Sequence, residues 1–297
     1  MALRIITGII GIAISAVVIQ MGGAVFAGAV ILLALIGWYE FSSAFSRAGM
    51  DTSIFLGAFT LILILCCAWL GNIEELVAVL TLGSLAIFLL TVLFSMRPNE
   101  AGVSVAGLFY LGLPLAHLIM LRFLADEPHK VESLVNFHNF VSENVGNINF
   151  VETLSNLHFD GGCELVWILF ACTWASDTFA YFIGSAVGSH RLAPSISPNK
   201  TIEGFLGSIV GTALTAVVVG TFLFGYPITR MAEIGVILAI VATLGDLVES
   251  SIKRYTGVKD SGFIIPGHGG VLDRFDSILY TAPVFYYFIV VSKILAQ

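Results

Sequence analysis

The sequence predicts an all-α, polytopic integral membrane protein of about nine transmembrane helices, its N-terminus cytoplasmic and its C-terminus outside. Three observations predict it. Of the 297 residues, 58% are hydrophobic and only 11% are charged, against roughly 25% charged in soluble domains. The apolar residues come in repeated runs, each near the roughly 20 residues a helix needs to cross the hydrocarbon core. The Lys and Arg residues are shared unevenly between the connections on the two sides.

The runs lie at about 5–21, 23–39, 54–71, 76–95, 104–122, 164–183, 203–225, 231–249 and 278–294. Arg4 and the run to Gly22 have the make-up of a signal peptide, but another apolar run follows at once, so the expectation is a first membrane helix. Little more than Met21-Gly22-Gly23 separates the first two runs, and Pro114 within the fifth is placed to kink a helix without preventing a crossing. With the N-terminus inside, the inner connections carry Arg4, Arg47, Arg97, Arg191, Lys200, Lys253, Arg254, Lys259 and Arg274. The outer ones carry Arg122, Lys130, Arg230 and Lys293, nine against four. Three regions follow: membrane helices over 1–122, an extracytoplasmic loop over 123–163, and a C-terminal catalytic membrane region over 164–297 with two cytoplasmic polar loops.

Several classes are excluded. The four cysteines have no C-x-x-C spacing, and Cys66, Cys67 and Cys172 sit in apolar runs, against a disulfide framework or metal cluster. The 13 Lys and Arg are scattered, which leaves no nucleic-acid footprint. In the 123–163 loop, His129, His138 and His158 lack close metal spacing, so the segment reads as a solvated loop with one interfacial helix around 131–145.

Two polar stretches carry chemistry. The first is DTFAYFIGSAVGSHRLAPSISPNKTIEG, residues 177–204. An acid such as Asp177 inside a span should face a protein-lined cavity. Asp177, Tyr181, Gly184 and Gly188 share one helical face, and the two glycines suit close helix packing. Ser197, Asn199, Lys200 and Thr201 precede a new helix, where exposed N–H groups and an ammonium favour an anion. Capping by Thr201, with Glu203 in the first turn, accounts for those two residues equally well.

The second is GDLVESSIKRYTGVKDSGFIIPGHGGVLDRFDS, residues 245–277. Asp246, Glu249, Ser250 and Lys253 fall on one face of a helix leaving the membrane, and Asp246 lies too deep to be a simple exit charge. Lys253, Arg254 and Lys259 have the alternative role of positive-inside anchors. The turn Pro266-Gly267-His268-Gly269-Gly270 permits close backbone approach to a ligand, and Asp273, Arg274 and Asp276 follow. Acids converging with cations suit metal-assisted phosphoryl chemistry, in which a hard cation takes carboxylate oxygens and Lys or Arg neutralise phosphate. No Walker loop and no Ser-His-Asp or Cys-His spacing is present.

The run Ser251–Ser277 resembles the hallmark of the CDP-diacylglycerol synthases, or phosphatidate cytidylyltransferases. That pattern reads S-x-x-K-R-x4-K-D, a hydrophobic stretch, P-G-H-G-G, then D-R-x-D, and each fixed position is filled. The Asp177–Gly204 run is similar to the family's other cytosolic motif. The first 160 residues resemble the family only as apolar helices. The resemblance implies transfer of CMP from CTP to phosphatidic acid by an enzyme that is a homodimer of the inner membrane with its site facing the cytoplasm. It also implies Mg²⁺ held by Asp246 and Asp273, with a second cation, K⁺ or another divalent. Asp276, Asp260 and Asp177 become further ligands or supporting partners, and Lys200, Lys253, Arg254, Lys259 and Arg274 phosphate holders. His268 becomes a donor to the leaving pyrophosphate or a brace for its turn. Rival readings are a CTP-dependent polyprenol or phytol kinase, which needs a base for its alcohol acceptor, and an ion-coupled transporter. Inverted repeats and broken mid-membrane helices, frequent in transporters, are not visible in the sequence.

Overall fold

The apolar runs fold as helical rods, because hydrocarbon offers no partner for backbone N–H and C=O groups and a helix satisfies them internally. In the computed structural model the described residues are 2–124, 129–130, 158–262, 264 and 269–292. Their rods are α1 (Ala2–Met21), α2 (Gly23–Arg47), α3 (Ile54–Trp69), α4 (Ile73–Leu93) and α5 (Pro98–Arg122). Then follow α6 (Gly161–Val187), α7 (Ile202–Leu223), α8 (Ile228–Thr256) and α9 (Leu272–Ser292). Among the described residues seven of these are long and apolar enough to cross a membrane, while α3 and the 7–21 part of α1 are shorter apolar helices. Large apolar side chains such as Phe55, Val92, Val210 and Phe222 are exposed, as expected of a chain whose surround is lipid.

Pro114 perturbs α5 as its chemistry requires. Proline lacks an N–H, and its ring would press on the carbonyl four residues earlier, that of Tyr110. The helix widens into a π turn over Leu108–Gly112, just ahead of the proline.

The chain divides into two compact units. The first holds residues 1–120, 195–197 and 244–283, and the second holds 121–194, 198–243 and 284–297. In the first, buried Trp38 of α2 lies over Gly57 of α3 and Gly107 of α5 and donates its indole N–H to the Ile54 carbonyl at 2.9 Å. In the second, α6 and α7 cross with backbones in contact. A Cβ on Gly204 would lie 3.1 Å from Gly184 Cα and 2.6 Å from the Ala180 carbonyl oxygen. Gly207 and Gly211 continue this face beneath Ile183 and Phe179.

The expected close packing of Gly184 and Gly188 holds, since a Cβ on either would lie 2.9 or 2.7 Å from Thr201 Oγ1, but Gly188 makes its approach from just past the helical face. It is the C-cap of α6, its backbone already extended at φ −65° and ψ 116°, because the chain turns there toward β3 (Arg191–Ala193). Asp177, expected to face a protein-lined cavity, is exposed on α6.

The ends of the long connection meet in a short antiparallel ladder, His129 opposite Phe159 and Lys130 opposite His158. These are β1 (His129–Lys130) and β2 (His158–Phe159). The interfacial helix expected at 131–145 lies outside the described residues. Asp160 then caps α6 by accepting the Cys163 N–H at 2.6 Å, and the buried Arg122 guanidinium donates to the same carboxylate at 2.6 Å. All four cysteines are free.

Candidate active site

The polar exit face expected of α8 is present, and its end is set by local chemistry. Gly257 sits at φ +72°, which a side chain rarely tolerates, and its N–H reaches the Arg254 carbonyl while the Val258 N–H reaches that of Lys253 at 3.1 Å. This Schellman arrangement stops the helix one turn after Lys253. Ser250 donates to Asp246 Oδ1 at 3.3 Å, four residues back on the same face.

Gly245 fixes how α8 meets α9. A Cβ there would lie 2.7 Å from the Asp276 carbonyl oxygen and 3.2 Å from Tyr280, so only glycine allows the two backbones this close. The approach sets the Asp246 end of α8 beside the first turns of α9. Helix α9 begins at Leu272, six residues before the predicted apolar run, which puts Asp273 and Asp276 inside its opening turns.

Within the first unit, four side chains form one network. Lys253 Nζ donates to Glu249 Oε2 at 2.6 Å and to Asp273 Oδ1 at 2.9 Å. Ser261 Oγ lies 2.8 Å from Glu249 Oε1 and 3.3 Å from Asp273 Oδ1. Asp273 Oδ2 accepts the Ser261 N–H at 3.0 Å and the Gly270 N–H at 2.8 Å. One carboxylate thus ties the loop's start at Ser261 to its end at Gly270. Gly269, at φ +90°, would place a Cβ 2.8 Å from that same oxygen, so the glycine is required twice over.

Other predicted residues fall around this network. Arg254 Nε donates to the Ile196 carbonyl at 3.2 Å, which brings the tip of the Asp177–Gly204 stretch onto α8. Lys259, Asp260 and Arg274 are exposed, while Asp276 is half-buried and its Oδ1 accepts the Ser277 N–H at 2.7 Å. Gly267 and His268 lie outside the described residues.

Asn199, Lys200, Thr201 and Glu203 belong to the second unit, whereas Ser197 counts with the first. Ser197, Asn199, Lys200 and Thr201 lie in β4 (Ser197–Thr201), paired with β3. Thr201 caps α7 by accepting the Gly204 N–H at 3.1 Å, the alternative its sequence offered. Glu203 accepts the His190 backbone N–H at 3.2 Å and lies 2.6 Å from its ring Nδ1, so it closes the hairpin at its base. Lys200 Nζ reaches the Thr243 carbonyl of α8 at 3.5 Å, and Asn199 is exposed.

Four residues escaped assignment. Glu249 was placed on the polar face without a role, yet it is 3% exposed and holds one side of Lys253. Ser261 carried no signal beyond its place in the loop. Glu40, in α2 just past the 23–39 apolar run, accepts the backbone N–H groups of Val271 and Leu272 at 3.0 and 2.9 Å. An acid at the end of a run reads as an ordinary exit charge, unlike Asp246 within its run, so the sequence carries no signal for this role. Tyr110, in the π turn, has a buried hydroxyl with no hydrogen-bond partner and lies within electrostatic reach of Glu249, Asp276 and Asp246.

Carboxylates and amines gathered at the ends of apolar helices are the equipment of a membrane enzyme acting on phosphorylated substrates. The particular family comes from comparison. Residues 2–292 match the model of the cytidylyltransferase family, and the chain belongs to that family. It is 33% identical over 293 residues, 97% of this chain and 96% of the relative, to a phosphatidate cytidylyltransferase of Synechocystis sp.. It is 34% identical over 267 residues, 80% of this chain and 97% of the relative, to one from Bacillus subtilis. A shorter match, 43% over 141 residues, is to the Staphylococcus aureus protein of the same name and covers 47% of this chain and 52% of that one. The likeness therefore extends across the N-terminal helices, where no motif was legible.

Proposed function

We propose that this chain transfers CMP from CTP to phosphatidic acid, releasing pyrophosphate and giving CDP-diacylglycerol for phospholipid synthesis. The observation that carries the reading is Lys253 held between Glu249 of its own helix and Asp273 of the next, two turns from Asp246. The family and its relatives support the substrates.

The chemistry asks little of a base. A phosphate monoester has its second pKa near about 6, so phosphatidate arrives ionised. Its oxygen forms a bond to the α-phosphorus of CTP as the bond from that phosphorus to the bridging oxygen breaks, and the electron pair leaves with pyrophosphate. Bringing two polyanions into line is the principal barrier, and cations meet it. In this reading Lys253, Arg254, Lys259 and Arg274 of the second polar stretch hold phosphate oxygens, and Lys200 and Asn199 of the first polar stretch are assigned to phosphate as well.

Asp246 and Asp273 would hold Mg²⁺, which supplies charge neutralisation of the phosphates when bound. Among the described residues no three His, Cys, Asp or Glu side chains form a ready cage. That suits Mg²⁺, which commonly takes one or two carboxylates and completes its shell with water and substrate phosphates. In the structure Asp273 Oδ1 accepts from Lys253 and Oδ2 from Gly270, so Asp273 would hold a cation in company with the Lys253 ammonium, and both would neutralise phosphate charge. The reading further includes a second cation, a homodimer, nine membrane crossings and a cytoplasmic site.

The test is acceptor-specific. Purified protein should release pyrophosphate from CTP only with phosphatidate and a divalent cation, and a chelator should stop it. Asp246→Asn and Asp273→Asn should each abolish turnover. Product formed from diacylglycerol or a polyprenol instead would reassign the enzyme as a lipid kinase.

A further inference from the structure

Helix α9 begins without a cap of its own. Its N-cap is Val271, whose carbonyl accepts the Arg274 and Phe275 N–H groups at 3.0 and 3.1 Å but whose side chain has no acceptor. The cap comes from Glu40, 231 residues away in sequence, whose two oxygens take the Val271 and Leu272 N–H groups. A carboxylate at a helix N-terminus is also favoured by the helix dipole.

The surroundings of Glu40 are shaped to it. A Cβ on Gly270 would lie 2.7 Å from Glu40 Oε2, and one on Gly262 would collide with Oε1. One turn earlier on α2, a Cβ on Gly37 would press Leu272 at 3.2 Å. Glu40 is 2% exposed, so its charge is met by these backbone donors and not by water. Both ends of the loop that Asp273 ties, Ser261–Gly262 and Gly269–Gly270, thus also abut the Glu40 carboxylate.

We infer that Glu40 is a positioning residue for the cytidylyl-transfer site: it sets the register of the α9 start and thereby where Asp273 stands against Lys253. The inference rests on the proposed reaction for its kinetic test and has a second test that does not. It also explains why Gly262 and Gly270 are glycines, since either side chain would displace the Glu40 oxygens.

The experiment compares Glu40→Gln and Gly262→Ala with the unsubstituted protein and with their double variant. The amide of Glu40→Gln keeps one acceptor and turns a donor toward the second backbone N–H. KM for CTP with Mg²⁺ should rise about tenfold or more in both single variants, with KM for phosphatidate changed less than about twofold. The double variant should be no worse than the poorer single, because both break the same contact. Independently of any reaction, hydrogen exchange in peptides covering 269–275 should quicken in Glu40→Gln while α5 keeps its protection. Unchanged exchange at 269–275, or exchange raised evenly through the protein, would overturn the inference whatever the enzyme's substrate. So would equal losses toward both substrates.

Discussion

Asp273 accepts three hydrogen bonds, from Lys253, from the Ser261 N–H and from the Gly270 N–H, with the Ser261 hydroxyl, shared with Glu249, 3.3 Å from its Oδ1. Each removes a direction in which the carboxylate can turn, so its oxygens are fixed before any ligand arrives. Lys253 is the one cation of the set. Its ammonium is one donor shared between two acids, and it alone can exchange a carboxylate for a phosphate oxygen without unwinding backbone. Lys253→Met should therefore lower kcat/KM by on the order of 10²–10³-fold, measured as CDP-diacylglycerol formed. It should also lower the melting temperature in detergent, because Glu249 is left buried without its counter-charge. A variant with normal turnover would remove Lys253 from phosphate handling. At this scale the sequence displays Asp246, Lys253 and Asp273, since acids and amines are conspicuous among apolar residues. It hides Ser261 and the part played by Glu249, because a partner across a loop leaves no spacing to read.

At the level of elements, glycines decide where helices end and how closely they approach. Gly257 closes α8 through a left-handed residue, and Gly245 lets α8 and α9 meet backbone to backbone. Gly245→Ala pushes a methyl into the Asp276 carbonyl, and overpacking of this kind costs about 1–3 kcal/mol. Thermal unfolding in detergent should register that loss, and activity should fall with it as Asp246 and α9 separate. Full stability and activity in this variant would show that the helices have room to part. Helix interiors were legible because an apolar run of membrane length has one solution. Their ends were less so: α9 starts six residues ahead of its apolar run, where Glu40 satisfies the N–H groups of its N-cap and first residue. Hydropathy counts Asp273 and Asp276 against a helix, whereas the helix N-terminus favours them.

For the whole molecule, the asymmetry of basic residues leads to a test of orientation. In a background without Cys66, Cys67, Cys163 and Cys172, a cysteine replacing Lys259 should react with an impermeant maleimide only once the cytoplasmic face is opened. A cysteine replacing Arg230 should react in intact cells. The reverse pattern would invert the proposed topology. What the sequence could not supply at this scale was the division into two units, in which α8 and α9 each pass from one to the other. Such a division depends on which helices pack together, and lipid-facing and protein-facing apolar residues look alike in a sequence.

The Glu249–Lys253 pair has a consequence for how the chain is made. A bare carboxylate carried to the middle of a membrane helix raises the cost of insertion by about 2.5–3.5 kcal/mol, and the C-terminal half of α8 bears two acids, Asp246 and Glu249. Because the ammonium that answers Glu249 lies four residues on in the same helix, part of that charge is cancelled within α8 itself. Helix α8 can enter the bilayer as it leaves the ribosome, before α9 has been synthesised and before any nucleotide or cation is at hand. Asp273, on the helix that follows, meets an ammonium that α8 supplies together with its own counter-charge.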